Sequence, residues 1–102
     1  GGLSKVTQDI APFSIYDGHP ASFRGVNAVG LRRAGYALSR RTQIKKALML
    51  LLGQRLNLSR AISKAERHFK GNPEVEALLT FIQSSKRGVA RVSSVLSADE
   101  EV

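Results

Sequence analysis

Between Arg24 and Lys64 the sequence carries Arg24, Arg32, Arg33, Arg40, Arg41, Lys45, Lys46, Arg55, Arg60 and Lys64, and not one acid. A block of one sign on a folded background sets up a field that steers anions to the surface and raises their rate of encounter. Its chemistry is therefore anion binding: guanidinium meets phosphate or carboxylate through two parallel hydrogen bonds, and ammonium acts as a point charge. Arg40 and Arg41 are informative because they fall in the first turn of an expected helix, where the helix dipole favours acids and disfavours cations. A local cost accepted there speaks for a binding role, with a merely solvated basic face as the alternative. Residue types for other chemistry are scarce. Cysteine is absent, which excludes a disulfide framework, a thiolate metal site and a cysteine nucleophile. His19 and His68 are the only imidazoles, which argues against a zinc site, and nothing calls for a cofactor.

The elements that must hold these cations read as mainly α, in three to four helices. Residues 1 to about 24 have strand-and-turn texture: Gly1, Gly2, Pro12, Gly18 and Pro20 break short apolar stretches. Among those stretches Phe13 and Ile15 alternate with Ser14 and Tyr16, and Asp17-Gly18 is a turn signal. From Phe23 the period becomes helical, with Val26, Val29 and Gly30 on one face of a short helix stopped near Gly35. Ser39 is the expected N-cap of the next helix, whose stripe is Ile44, Ala47, Leu48, Leu51 and Leu52, ended by Gly53. Asn57 caps a helix with the stripe Leu58, Ala61, Ile62, Ala65 and Phe69, and Lys70-Gly71 closes it. Asn72-Pro73-Glu74 starts the last helix with a cap, a proline at the first helical position and an early acid. Val75, Leu78, Leu79 and Ile82 form its buried face, and Lys86-Arg87-Gly88 its stop. Short connections make these helices antiparallel neighbours. The Ser-rich stretch from Val92, ending in Asp99-Glu100-Glu101, reads as a frayed tail.

Length and composition set the outer bounds. The chain has 102 residues, a formal net charge of +8 and 42% hydrophobic residues, which suits one small globular domain. No apolar run approaches the roughly 20 residues of a membrane span, and no leader-like segment is expected at the start. The only methionine is Met49 and the chain begins Gly-Gly, so it reads as a piece of a longer protein, or else as a trimmed mature one. A pI near 10.7 raises nucleic acid as a partner, but aromatic residues total 6%, too few to supply stacking platforms readily. A phosphate-bearing small molecule and an acidic protein remain the competing anions.

Three blocks of residues resemble one family. The stretch from Val6 to Ala21, Val-Thr-Gln-Asp-Ile-Ala-Pro-Phe-Ser-Ile-Tyr-Asp-Gly-His-Pro-Ala, is similar to the last coil of a hexapeptide-repeat acyltransferase. Arg24 to Gly35, Arg-Gly-Val-Asn-Ala-Val-Gly-Leu-Arg-Arg-Ala-Gly, resembles the opening of the C-terminal helical domain of the UDP-N-acetylglucosamine O-acyltransferases of lipid A biosynthesis. Phe81 to Val89, Phe-Ile-Gln-Ser-Ser-Lys-Arg-Gly-Val, resembles that family's C-terminal motif. The resemblance implies a terminal coil of a left-handed parallel β-helix over residues 1–24 and an α-helical domain over 25–91, and it stops short of the stretch 92–102, which its own texture marks as a flexible tail. It implies a homotrimeric enzyme of the bacterial cytoplasm that moves a 3-hydroxyacyl group from acyl carrier protein to UDP-N-acetylglucosamine. The family's general base is a histidine on an earlier coil. That coil is absent from this chain, which is therefore expected to be inactive alone.

By the same resemblance, Asn27 matches an asparagine near the nucleotide sugar and Arg33 an arginine that reaches the nucleotide phosphates. Gly2 matches the position that limits acyl-chain length, where glycine leaves room for a longer chain. Carrier docking falls to Arg32, Arg40, Arg41, Lys45 and Lys46, since acyl carrier proteins are strongly acidic. The sequence also departs from the family pattern. Ala34 stands where a second arginine is usual, Val29 where an acid is common, and Ser39-Arg40-Arg41-Thr42 where Ser-x-Glu-Glu is frequent. His19 stands where relatives have asparagine, and no role carries over to it or to His68. The remaining alternatives are a non-enzymatic basic helical module that binds nucleic acid, and a structural trimerisation domain.

Overall fold

The computed structural model describes residues 8–18, 20–54 and 57–92. The expectations for Gly2, His19 and Arg55, and for the stretch 93–102, lie outside the described residues. Strands β1 (Ser14–Asp17) and β2 (Ser22–Val26) form an antiparallel hairpin. Four helices follow: α1 (Ala28–Arg33), α2 (Leu38–Leu51), α3 (Leu58–His68) and α4 (Pro73–Ser84).

The Asp17 carboxylate accepts from the Gly18 N–H at 2.8 Å, and Gly18 has φ +95°, so the Asp-Gly turn closes the hairpin as expected. The alternation along β1 has the opposite sense to the expected one. Tyr16 faces inward, its ring edge-on to Phe23 at 5.9 Å, while Ile15 is 48% exposed. Phe13 explains the change of phase. Its φ of +64° is left-handed, so the strand begins after it and its side chain does not belong to the β1 alternation. Residues Phe23 to Val26, read as the start of helical periodicity, continue the hairpin instead, and α1 buries Leu31 while Val29 is 49% exposed. Among the described residues the two strands pair only with each other, so the sheet is antiparallel and a parallel coil is not part of it.

Helix α2 is central and touches β2, α1, α3 and α4. Its expected stripe is its buried face: Ile44, Ala47, Leu48, Leu51 and Leu52 are 0–1% exposed. Full burial of one such leucine is worth about 1.5–3 kcal/mol. The expected cap is displaced, because Ala37 rather than Ser39 holds the N-cap position and makes no side-chain bond there. Asn57 and Asn72 do cap α3 and α4, accepting from the N–H of Arg60 at 3.3 Å and of Val75 at 3.1 Å. Ala61 and Ala65 of α3 and Val75, Leu78, Leu79 and Ile82 of α4 complete the core from the helical side. Helix α4 stops at Ser84, short of Lys86-Arg87-Gly88, and Gly88 turns the chain with φ +84°.

The segment after α4 ties the two halves together. The Asp9 N–H donates to the Gly88 carbonyl at 2.8 Å and the Ala90 N–H to the Asp9 carbonyl at 2.9 Å, a parallel bridge. The Tyr16 hydroxyl donates to the Ala90 carbonyl at 2.6 Å. The Phe23 N–H donates to Arg91 at 3.2 Å, and the Val92 N–H to Leu52 at 2.8 Å. Val92, expected to begin a frayed tail, is buried at 6% exposure and bonded to the end of α2. Ala11 and Phe23 therefore belong to the same core cluster as the helices.

Candidate functional site

Asn27 joins the hairpin to α1. Its N–H donates to the Phe13 carbonyl at 2.7 Å, and its Oδ1 accepts from the Gly30 N–H at 3.0 Å, capping the helix. The left-handed Phe13 is held by that backbone bond and by its ring, which meets Tyr36 edge-on at 6.3 Å. A Cβ at position 30 would lie 2.6 Å from Asn27 Nδ2, so the folded-back amide needs glycine there. The Asn-x-x-Gly spacing is the sequence signal for this geometry, although the type of each residue alone did not reveal it. With Oδ1 engaged by the helix, the Nδ2 donor of an exposed Asn27 is what remains for a ligand.

Helix α1 is short, and Gly35 ends it with φ +89°. Arg32 and Arg33 lie in its last turn, both exposed, where the dipole favours cations. Among the described residues neither makes an ion pair or a side-chain hydrogen bond. Arg33 therefore keeps its whole guanidinium fork for an anion.

The other expected docking residues do not form one face. Arg40 donates through Nε to Glu74 Oε1 at 2.8 Å, in the first turn of α4. That bond answers the local cost read from the sequence, because the cation at the start of α2 is balanced across the fold. Arg41 donates through Nε to the Tyr36 carbonyl at 3.1 Å, beside the turn that follows α1. Lys45 lies four residues beyond Arg41, on the same flank of α2. Lys46 turns instead toward α3, where it lines a groove of about 510 Å³ with Gln43, Leu50, Lys64, His68 and Phe69. The groove continues toward Arg40, Lys70 and Asn72. Lys64 and His68, four residues apart on α3, join the basic surface here, although neither was among the residues expected to dock a carrier. Among the described residues, no three His, Asp or Glu side chains cluster as metal ligands, and no helix is long and apolar enough to cross a membrane.

At the end of the fold, Asp9 accepts from Ser85 Oγ at 2.6 Å and from Arg87 Nε at 2.9 Å. The Ser85 bond first, and then the Arg87 guanidinium, hold its carboxyl below the usual carboxylate range. Burial pushes the Tyr16 phenol up.

Comparison with known proteins covers this same unit. The family described as UDP N-acetylglucosamine O-acyltransferase, domain 2, matches residues 9–90. The acyl-[acyl-carrier-protein]–UDP-N-acetylglucosamine O-acyltransferase of Fusobacterium nucleatum is 42% identical over 90 residues, covering 88% of this chain and 35% of that protein. The enzyme of the same name from Thermodesulfovibrio yellowstonii is 40% identical over 89 residues, covering 87% and 34%. The chain thus spans about a third of the length of the curated relatives it matches. Among solved structures, a UDP-N-acetylglucosamine acyltransferase of Bacteroides fragilis superposes with TM-score 0.76 at 34% identity, covering 82% of this chain and 33% of that one. That of Francisella novicida reaches TM-score 0.81 over 92% of this chain and 35% of its own, which at 23% identity speaks for the fold alone. The match runs from the Asp9 bridge through the Asn27-capped helix to Ala90, and by it this chain belongs to the UDP-N-acetylglucosamine O-acyltransferase family.

Proposed function

We propose that this chain is the C-terminal part of an enzyme that moves a 3-hydroxyacyl group from acyl carrier protein to the 3-hydroxyl of UDP-N-acetylglucosamine, in lipid A synthesis. The observation that carries this is the family match over residues 9–90, nearly all of the described chain. In this reading the part binds substrates, and the base that takes the hydroxyl proton stands on coils outside it. Arg33 pairs with the nucleotide phosphates through its free fork. The Asn27 amide, oriented by its bond to Gly30, donates to the nucleotide sugar. Arg32, Arg41, Lys45 and Lys46 offer positive charge to the acidic carrier, while Arg40 is shared with Glu74. In this reading Gly2 leaves space for the acyl chain at the end of the β-helix, the antiparallel hairpin of residues 14–26 stands where residues up to 24 were expected to close its last coil, and the helical domain follows to residue 91. The whole enzyme is a homotrimer of the bacterial cytoplasm. The family match leaves the nucleic-acid alternative without support.

The test is a titration of the chain with acyl carrier protein, and in parallel with a random oligonucleotide, across a salt series. Saturable carrier binding is expected, weakened about two- to fivefold by Lys45→Glu, as an exposed pair worth about 0.5–1 kcal/mol implies. Lys45 is the better probe than Arg40, whose reversal would also break the bond to Glu74. In the same preparation Arg33→Ala should weaken UDP-N-acetylglucosamine and leave carrier binding unchanged. Binding to the oligonucleotide alone would overturn the proposal.

A further inference from the structure

Helices α2 and α3 leave a groove of about 510 Å³ between them, lined by Gln43, Lys46, Leu50, Lys64, His68 and Phe69. That volume lies in the range of small-molecule sites, about 300–1,000 Å³. The floor is apolar: Leu50 and Phe69 pack against the core and are half-buried, so part of each remains uncovered. The rim offers donors. Lys46 and Lys64 are exposed, make no ion pair or hydrogen bond among the described residues, and carry no acceptor. His68 carries a ring N–H in either protonation state. Among the described residues no Asp or Glu lines the groove.

Gln43 is the rim group whose direction the fold sets. The Val75 N–H donates to Asn72 Oδ1 at 3.1 Å, so the other end of that amide must donate, and Asn72 Nδ2 does so to Gln43 Oε1 at 2.6 Å. Asn72 is 8% exposed, so this link is held inside the fold. Gln43 has thereby engaged its acceptor, and its Nε2 makes no bond among the described residues. We propose that this groove binds a free amphiphile with a phosphate monoester head and a linear apolar tail, the head among Gln43, Lys46, Lys64 and His68 and the tail on Leu50 and Phe69. Donors from two helices meet a head that has three strong acceptor oxygens. Where the groove continues, the Arg40 guanidinium is already bonded to Glu74, so among the described residues the free charge there thins to Lys70. That favours a single compact head over the row of carboxylates of an acidic protein segment. Lys46 is also offered above to the carrier, whereas Gln43, Lys64 and His68 belong to this groove alone.

Neither carrier nor nucleotide sugar enters the test, so it can fail while the proposed function stands. The isotope-labelled full chain is titrated with decyl phosphate below its micelle threshold and followed by amide chemical shifts. Saturable shifts are expected at Gln43, Lys46, Leu50, Lys64 and His68. Inorganic phosphate should bind at least about tenfold more weakly, a factor that burial of about two methylenes supplies. Decyltrimethylammonium, the same tail with the opposite charge, should leave these amides unshifted. Lys64→Gln, which breaks no bond of the fold, should weaken decyl phosphate about two- to fivefold. Gln43→Glu is the sharper variant. Glutamate still accepts from Asn72, so the unfolding midpoint should hold while affinity falls about tenfold, a charge-assisted hydrogen bond giving way to repulsion. Shifts that are absent, centre on another face, or survive Gln43→Glu combined with Lys64→Gln would overturn the proposal. So would equal affinity for inorganic phosphate, which leaves the tail no role, and binding confined to vesicles containing phosphatidic acid, which would make the occupant a membrane.

Discussion

Asn72 carries two bonds that should be separable by mutation. Its Oδ1 accepts from the Val75 N–H at 3.1 Å, capping α4, and its Nδ2 donates to Gln43 Oε1 at 2.6 Å, tying α4 to α2. It is 8% exposed, so water replaces neither partner well when the side chain is cut back. Loss of an asparagine cap costs about 0.5–2 kcal/mol, and loss of the second bond about 0.5–1.5 kcal/mol. Asn72→Ala is therefore expected to cost about 2 kcal/mol. With a urea slope of roughly 1–3 kcal/mol/M, the unfolding midpoint should fall by about 1 M at unchanged slope. Asn72→Ser keeps an acceptor for the cap and loses only the link to Gln43, so about half the loss should remain. A double-mutant cycle of Asn72→Ser with Gln43→Ala should give a coupling of about 0.5–1.5 kcal/mol. Equal losses for Ser and Ala, or strictly additive single mutants, would refute the two-bond account.

Three further outcomes follow from the geometry. Leu48→Ala, at a site with 0% exposure where α2 meets the core, should cost about 2.7–5 kcal/mol, read by chemical denaturation; a loss under about 1 kcal/mol would show a loosely packed centre. Asp9 is held below its ordinary pKa of 3.8 by Ser85 and Arg87, so its contribution is full above that value and is lost as pH falls from there through the lowered folded-state value. Melting curves of the chain and of Asp9→Asn should then differ at neutral pH and converge below pH 3.8, and a gap that persists undiminished at lower pH would be the contrary result. Gly35→Ala places a Cβ in open space at φ +89°, so any cost is backbone strain alone, about 1–2 kcal/mol in the melting curve; no change would mean that the turn relaxes to another conformation.

Much of the architecture was legible because it is local. The stripe Ile44, Ala47, Leu48, Leu51, Leu52 follows the helical period, and a surface that sorts apolar from polar at that period can bury only one face. Asn57 and Asn72-Pro73 start helices because cap chemistry acts within a single turn. Such signals depend on neighbours three or four residues away, and these lie together in the sequence. The family resemblance was legible for a related reason: blocks such as Arg24 to Gly35 encode a local geometry, here the Asn27 amide folded over Gly30.

What escaped the sequence was decided by partners far along the chain. Phe23 to Val26 read as helical, yet Ser14 to Asp17 pairs with them, and a left-handed Phe13 shifts which side of β1 meets the core. Arg40 read as an uncompensated cation because Glu74, which neutralises it, stands 34 positions away. Lys46, Lys64 and His68 line one groove because α2 and α3 pack side by side, and no spacing within either helix states that they meet. Val92 read as the start of a loose end, but only the packed structure brings the Leu52 carbonyl to its N–H. The sequence by itself determined the main helices, the asparagine caps of α3 and α4, the excess of positive charge and the family. Tertiary packing decided which of those charges are already spent within the fold and which still face an open surface. A charge's availability depends on the distance to its nearest opposite, which is fixed only once the chain has folded.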